Sequence, residues 1–298
     1  MNTKRWKLAT ITAGVLAAAL TAAGCSSQGS TGGSAEPKEL KLAYVAWDSE
    51  IASTHVVEYV LEEKLGYEVE LLQVDAGPMW TGVAGGSADA MVAAWLPSTH
   101  QTYYEENKSK IEDLGPNLDG TKIGLVVPSY MEISTIEDLK DAAVAESVDA
   151  TIVGIEPGAG LMMATEKALD EYGLEGWTLL ESSSAAMAAE LQSAYEAQKP
   201  IIVTGWTPHW KFGKMDLKYL EDSKGVYGGD EQIHTIVRQG LGDDHPEAYK
   251  FLDQFVWTPE DMAAVMVDIQ EGAEPAEAAA AWVNANADKV DAWLAGIE

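Results

Sequence analysis

The chain has 298 residues, 47% of them hydrophobic, which is enough for two lobes of ordinary domain size. Its formal net charge of −29 makes nucleic acids and anionic membrane surfaces poor partners. The only cysteine is Cys25, so an intramolecular disulfide is excluded.

The amino terminus has the pattern of a secretory signal. A basic start is followed by an apolar run from Leu8 to Ala23 and by small residues before Cys25, which predicts a signal peptide over residues 1–24. The run LTAAGC resembles a bacterial lipoprotein box, although Ala22 stands where that pattern usually has leucine. We therefore expect an extracytoplasmic protein, anchored to the outer face of the cell membrane by lipid on Cys25, with residues 25–37 as anchor and flexible tether. An ordinary signal peptide with an incidental cysteine is the alternative.

The first part of the mature chain alternates strand and helix patterns. Residues 40–46 predict a strand that ends in Trp47, followed by a helix capped by Ser49 or Ser53 and closed at Gly66. A strand over 68–74 and a short helix ending at 85–86 come next. A third strand, 88–94, ends in Trp95. Residues 122–127 predict another buried strand, and Ser134 with Glu137 predicts a capping box.

The alternation continues in the second part. Strands are predicted over 151–155, 178–181, 201–204 and 233–238, and helices over 161–172, 184–197, 246–254, 259–270 and 275–294, with Gly173 as a helix stop. This order predicts an α/β protein with parallel-rich sheets. We expect one lobe from 38–127 with 228–298 and a second lobe from 128–227.

Three tryptophans, Trp47, Trp95 and Trp206, follow predicted strands directly, and ligands of open α/β sheets bind at the carboxyl ends of strands. Indole is the aromatic group that best attracts a cation without hydrogen-bond donors, such as a quaternary ammonium. The three side chains therefore predict an aromatic cage, with packing on the lobe cores as the alternative. For Trp210 both interpretations stay open. The remaining tryptophans of the folded region are expected in the core: Trp80, Trp177, Trp257, Trp282 and Trp293.

The turn from Glu156 to Leu161 is rich in glycine and opens a helix, so its free backbone N–H groups predict an anion site. His100 and His209 could each donate a hydrogen bond, and each could equally be structural. The sequence has no HExxH, GxSxG or P-loop motif, so neither a metal, nor a cofactor, nor an enzyme is expected. Asp48 and Glu156 could form the carboxylate pair of a glycan hydrolase, but helix capping and charge complementarity explain them more simply.

Several segments together resemble the glycine betaine binding proteins of osmoprotectant ABC importers: YVAWDSEIAST (44–54), AGPMWTGVAGGSADAMVAAWLPSTH (76–100), GIEPGAG (154–160) and TGWTPHW (204–210). The resemblance implies a two-lobed, type II periplasmic-binding-protein-like fold with the ligand between the lobes. It implies a trimethylammonium cage of Trp47, Trp95 and Trp206. It further implies a carboxylate site formed by His100 and the backbone amides of Gly160 and Leu161.

The resemblance also implies a receptor and not an enzyme, with an ABC importer permease as its partner. Another betaine, such as proline betaine, a dimethylsulfonio analogue or carnitine, is the alternative ligand. A secreted glycan-acting enzyme is the distant alternative function.

Overall fold

The computed structural model describes residues 38–297, so the expected signal peptide, Cys25 and the whole tether lie outside the described residues. Within residues 38–297, no helix combines the length and the apolar character that a bilayer span requires.

Nine strands are described in this part of the chain: β1 Lys38–Tyr44, β2 Tyr67–Gln73, β3 Ala90–Leu96, β4 Ile111–Pro128, β5 Thr151–Val153, β6 Thr178–Leu180, β7 Val203–Thr207, β8 Leu217–Tyr219 and β9 Glu231–Arg238. The helices of the first half are α1 Asp48–Leu65, α2 Ala76–Gly85, α3 Gln101–Asn107, a 3₁₀ helix Ile136–Lys140 and α4 Ala142–Ser147. Those of the second half are α5 Gly160–Tyr172, α6 Ser184–Glu196, α7 Lys211–Lys214, α8 Leu241–Asp244, α9 Pro246–Gln254, α10 Pro259–Gln270, α11 Pro275–Ala285 and α12 Ala287–Trp293.

Hydrogen-bonded neighbours in the sheet follow the order β2-β1-β3-β9-β4-β7-β5-β6, and β8 pairs with β4. The long strand β4 joins two groups of strands. Its first part, from Ile111 to Thr121, pairs with β9, and its second part, Lys122 to Val126, pairs with β7. Two groups of strands joined by β4, with helices between the strands, agree with the two-lobed α/β architecture that was expected. The predicted lobe limits, 38–127 with 228–298 and 128–227, stay a prediction.

The expectation of a parallel-rich sheet was wrong in part. β1 is parallel to β2 and β3, and β5 is parallel to β6 and β7. β9 and β4, however, run antiparallel to all their neighbours. The sequence signal missed residues 111–121, because turn-forming residues such as Gly115, Pro116 and Gly120 interrupt this part of β4 at its register shifts.

Two helix caps differ from those predicted. Helix α1 begins after Trp47 without any side-chain cap, so neither Ser49 nor Ser53 caps it. The capping box before the 3₁₀ helix is formed by Thr135 and Asp138, one residue later than predicted. The stops at Gly66 and Gly173 are confirmed, because both glycines adopt the left-handed conformation that ends a helix.

The core contains four of the five tryptophans expected there: Trp80, Trp257, Trp282 and Trp293 are buried. The fifth, Trp177, is half-buried against this core. Helices α11 and α12 replace the single helix predicted over 275–294, since the chain breaks at Asn286. Trp282 and Trp293 stack on each other at 5.8 Å between ring centroids, which holds the two helices together.

Candidate ligand-binding site

All six residues predicted to bind ligand line one cavity. They are Trp47, Trp95, Trp206, His100, Gly160 and Leu161. The other lining residues are Ser49, Thr99, Ile123, Ile155 and Ala159. Distant parts of the chain meet here, because β1, β3, β5 and β7 all bring the residues at or beyond their carboxyl ends to this place.

The three indoles are buried, at 6%, 3% and 4% relative exposure for Trp47, Trp95 and Trp206. Their placement differs slightly from the prediction. Trp95 and Trp206 are each the last residue but one of a strand, β3 and β7, and Trp47 lies three residues beyond the end of β1. A large side chain at the edge of the sheet, with its polar edge tied down, can present a flat aromatic face to the cavity.

Each cage indole N–H donates to a side chain. Trp95 Nε1 donates to Glu50 Oε1 at 2.9 Å, and Trp206 Nε1 donates to Ser49 Oγ at 3.2 Å. Trp47 Nε1 donates to the Glu156 carboxylate. These bonds fix the rotation of the three rings, and the electron-rich faces are left to attract a cation.

The first turn of α1 therefore organises the cage. Ser49 and Glu50 accept from Trp206 and Trp95, and Asp48 Oδ1 accepts from Trp210 Nε1 at 2.7 Å. The sequence analysis did not find this role. Its signal was the acidic Asp48-Ser49-Glu50 segment directly after a tryptophan, which was interpreted as helix capping.

Asp48 is also the point where separate segments meet. Its Oδ2 accepts from Ser184 Oγ at 2.8 Å and lies 3.5 Å from His209 Nε2. Burial would raise the pKa of Asp48, but the His209 ring 3.5 Å away and the hydrogen bonds from Trp210 and Ser184 together lower it well below its usual range. Asp48 is thus ionised at neutral pH and fixed behind the cage, outside the cavity lining.

His100 is fully buried and lines the cavity. Its Nδ1 accepts the Trp95 backbone N–H at 3.1 Å, which places the ring proton on Nε2. Nε2 has no hydrogen-bond partner among the described residues. Burial lowers the pKa of His100 to about 3, so the ring stays neutral and offers one N–H donor. An unpaired buried donor is costly, about 1 to 3 kcal/mol, unless a ligand accepts from it.

A second set of donors lies at the start of α5. The N-cap residue, Ala159, has no side-chain acceptor, and within residues 38–297 the amides of Gly160 and Leu161 have no acceptor. The helix start adds its positive end to these two N–H groups, which favours an anion. Gly160 also has to be glycine, because a Cβ atom there would collide with the Thr99 carbonyl oxygen.

His209 and Trp210, left open by the sequence, lie behind the cage and do not line the cavity. The His209 ring packs edge-on against Trp206 at 4.7 Å between centroids. Its Nδ1 accepts from the Lys211 backbone N–H at 3.2 Å, so its other nitrogen carries the proton that faces Asp48. His209 thus supports Trp206 directly, and Trp210 packs against His209 at 5.4 Å between ring centroids.

Two further charged residues were missed by the sequence analysis. Glu231 is buried at the start of β9 and accepts the backbone N–H groups of Ser98 and Thr99 at 2.6 and 2.7 Å, which fixes the turn before His100. Lys211 is fully buried, and its Nζ lies 4.3 Å from the centroid of the Trp206 ring. No sequence pattern distinguishes either one from a surface charge.

No cluster of three or more His, Cys, Asp or Glu side chains suited to a metal ion occurs in residues 38–297. The cavity instead combines three aromatic faces with three N–H donors and contains no charged lining residue. With its strand order, this site defines the chain as a two-lobed substrate-binding protein.

Comparison with known proteins agrees with this class. Residues 38–285 match the OpuAC family, described as the substrate binding domain of ABC-type glycine betaine transport systems. The chain belongs to this family.

Among solved structures, the chain is similar to lactococcal OpuAC in its closed-liganded conformation complexed with glycine betaine. The TM-score is 0.82 and the identity 49%, over 86% of this chain and 99% of that one. It is also similar to the glycine betaine, L-proline transporter binding protein ProX of Borrelia burgdorferi, with a TM-score of 0.83 and 37% identity over 87% and 97% of the two chains.

A curated relative is the glycine betaine/carnitine transport binding protein GbuC of Listeria monocytogenes, 52% identical over 155 residues. That match covers 51% of this chain and 52% of the Listeria protein, so it spans about half of the length of either.

Proposed function

We propose that this protein is the extracytoplasmic substrate-binding protein of an ABC importer, and that it captures glycine betaine and close methylated analogues for osmoprotection. The observation that carries the proposal is the composition of one cavity, in which three indole faces and three N–H donors converge. The family and the names of the relatives support the same ligand. In this proposal the protein is a receptor and not an enzyme.

The cage serves the cationic end of the ligand. A trimethylammonium group carries no N–H and is poorly served by a hydrogen-bonding carboxylate, whereas an indole face attracts it by about 0.5 to 2 kcal/mol per contact. Trp47, Trp95 and Trp206 are each 6% exposed or less, so little water competes for these faces.

The donors serve the anionic end. The Nε2–H of His100 and the amides of Gly160 and Leu161 bind the ligand carboxylate in this proposal, and hydrogen bonds to an ionised group are the stronger kind. Choline has the same cation but no carboxylate. It would leave these buried donors unpaired, so we expect it to bind much more weakly.

Calorimetric titration of residues 38–298 tests the proposal. Glycine betaine is expected to bind with the highest affinity in a panel that includes proline betaine, a dimethylsulfonio analogue, carnitine, choline and proline. Absence of glycine betaine binding by folded protein would overturn the proposal. A preference for one of the other methylated zwitterions would keep the receptor and change its ligand.

The glycan-acting enzyme is the weaker candidate, because both carboxylates it would need already accept indole N–H groups. Asp48 accepts from Trp210, and Glu156 accepts from Trp47. Turnover of candidate oligosaccharides by the purified protein would favour the enzyme over the receptor.

We further propose that Cys25 is lipidated and that residues 26–37 tether the folded part to the outer face of the membrane. Support comes from the sequence alone, since these residues lie outside the described part of the chain. Cys25→Ser is expected to release the protein from the membrane fraction into the medium. Unchanged membrane association of this variant would contradict the anchor.

A further inference from the structure

One acidic side chain near the cage has an environment unlike that of any ordinary surface carboxylate. Glu50, the third residue of α1, is fully buried, and within residues 38–297 it forms no salt bridge. Its hydrogen-bond donors are all neutral: Trp95 Nε1 at 2.9 Å, Ser49 Oγ at 3.5 Å and Ser53 Oγ at 3.5 Å. A buried carboxylate without a cation is costly, so this position requires an explanation.

Within residues 38–297 two more acidic residues are buried, and they show how a buried carboxylate is usually stabilised. Asp261 pairs with the Lys289 ammonium, and Glu231 accepts two backbone N–H groups with short, well-formed bonds. Glu50 has neither arrangement. Its best hydrogen bond comes from an indole whose ring lines the ligand cavity.

Glu50 is connected to two of the three cage rings. Trp95 donates to it directly, and Trp206 donates to Ser49 Oγ, which in turn lies 3.5 Å from Glu50 Oε1. A negative charge at the N–H edge of an indole pushes electron density toward the ring and strengthens the attraction of its face for a cation. The same charge also attracts the cation directly through a dry protein interior, where screening is weak.

We propose that the Glu50 carboxylate is a counter-charge of the ligand's ammonium group and that, through Trp95 and Ser49, it makes the cage favour a cation over an uncharged group of the same shape. Glu156 is placed in the same way at the N–H edge of Trp47. Glu50 is a positioning and specificity residue, since it does not line the cavity. The proposal rests on the proposed function, because it concerns the same site.

The test uses a pair of ligands that differ only in this charge. In 3,3-dimethylbutanoate a tert-butyl group replaces the trimethylammonium of glycine betaine, and the carboxylate is unchanged. The substitution Glu50→Gln keeps an oxygen that accepts from Trp95 and removes the negative charge. Calorimetry is expected to show about 10- to 50-fold weaker glycine betaine binding, the size of a charge interaction across one ring in a protein interior. Binding of 3,3-dimethylbutanoate is expected to stay within about twofold.

The matched control is Glu63→Gln, the same chemical change on the exposed side of the same helix. It is expected to leave both ligands unaffected. Equal weakening of both ligands by Glu50→Gln would mean that Glu50 only supports the fold, and unchanged binding of both would also overturn the proposal. Failure of the unmodified protein to bind glycine betaine would contradict the proposed function instead.

A measurement on the unmodified protein covers the case in which Glu50→Gln does not fold. Carbon-13 NMR titration of the Glu50 carboxyl group is expected to show a lower pKa when glycine betaine is bound than without ligand, because a nearby cation favours the ionised form. Binding of 3,3-dimethylbutanoate is expected to leave that pKa unchanged or to raise it. The same shift with both ligands would refute a charge interaction.

Discussion

Two turns of this molecule carry the same order of residues and use it differently. Trp95-Leu96-Pro97 leads to His100, and Trp206-Thr207-Pro208 leads to His209. Both tryptophans line the cavity, but only His100 does so among the histidines. Neither Nε2 atom has a hydrogen-bond partner within residues 38–297, but His209 Nε2 lies 3.5 Å from the Asp48 carboxylate, whereas no carboxylate lies within salt-bridge distance of His100. His100 Nε2 is therefore the ring nitrogen that is free to donate into the cavity.

The largest loss of glycine betaine affinity is expected from removing the tryptophan ring of either turn. Trp95→Ala and Trp206→Ala should each weaken glycine betaine binding by about 100-fold or more, because the cation loses a dry aromatic face and the cage opens to water. Isothermal titration of each variant checks this, with circular dichroism as the control for folding. Affinity near that of the unmodified protein in a folded variant would remove that residue from the cage.

The second comparison is between the two histidines. His100→Ala should weaken glycine betaine about tenfold more than it weakens choline, because the carboxylate contact is lost for glycine betaine alone. Loss of the acceptor for the Trp95 backbone N–H and of the ring stacked on Trp47 affects both ligands. His209→Ala should weaken both ligands by a similar and smaller factor, about threefold, because it loosens Trp206. The ratio of the two affinities in each variant separates these roles. Equal ratios in both variants would show that the histidines do not differ.

The sequence predicted the positions of these residues well and their interactions poorly. Each tryptophan, the glycine-rich turn and His100 follow a strand, and the carboxyl ends of strands in such sheets share one edge, so the cavity lining could be expected. What could not be predicted is the role of Asp48, Glu50 and Glu231. Their function depends on contacts more than 40 residues away along the chain, at Trp95, Ser98 and Trp210.

In the fold, too, the features set by local sequence were predicted and the features set by distant pairing were not. Helix limits set by local signals, such as the stop at Gly66, were found. The antiparallel pairing of β4 with β9 joins residues 111–121 to residues 231–238, and no local pattern specifies such a pairing. The irregular first part of β4 becomes a strand through its pairing with β9, and its local sequence resembles that of a loop.

The buried side chains of Glu50 and Lys211 predict that the affinity for glycine betaine depends on pH, with an effect of intermediate size. Burial raises the pKa of Glu50 to about 7, and burial lowers the pKa of Lys211 to about 7. Below pH 7 the first residue loses its negative charge and the second gains a positive one, and both changes disfavour a bound cation. Glycine betaine affinity should therefore fall several-fold from pH 8 to pH 6. Titrations at both pH values measure it.

Three other titratable groups near the cage keep the same charge in this range. The pKa of His100 is lowered to about 3 and that of His209 to about 4, and Asp48 stays ionised. Burial raises the pKa of Glu156, which acts in the same direction as Glu50. The double variant Glu50→Gln with Lys211→Met should flatten most of the profile. A profile as steep as that of the unmodified protein would assign the effect to other groups.

The smallest expected effect is a gain in affinity for glycine betaine, and it comes from removing the charge of Lys211 alone. Its Nζ is buried, has no hydrogen-bond partner among the described residues, and lies 4.3 Å from the centre of the Trp206 ring. Lys211 does not line the cavity, so its ammonium approaches the Trp206 ring from outside the cavity and draws on the same ring electrons. Lys211→Met keeps most of the side-chain volume and removes this competing charge. It should tighten glycine betaine binding about two- to fivefold at pH 6 and hardly at all at pH 8, where the lysine is mostly neutral.

Lys214→Met, an exposed lysine of the same short helix, is the matched control. Weaker binding in Lys211→Met at pH 6 would show instead that the ammonium holds Trp206 in place more than it competes with the ligand.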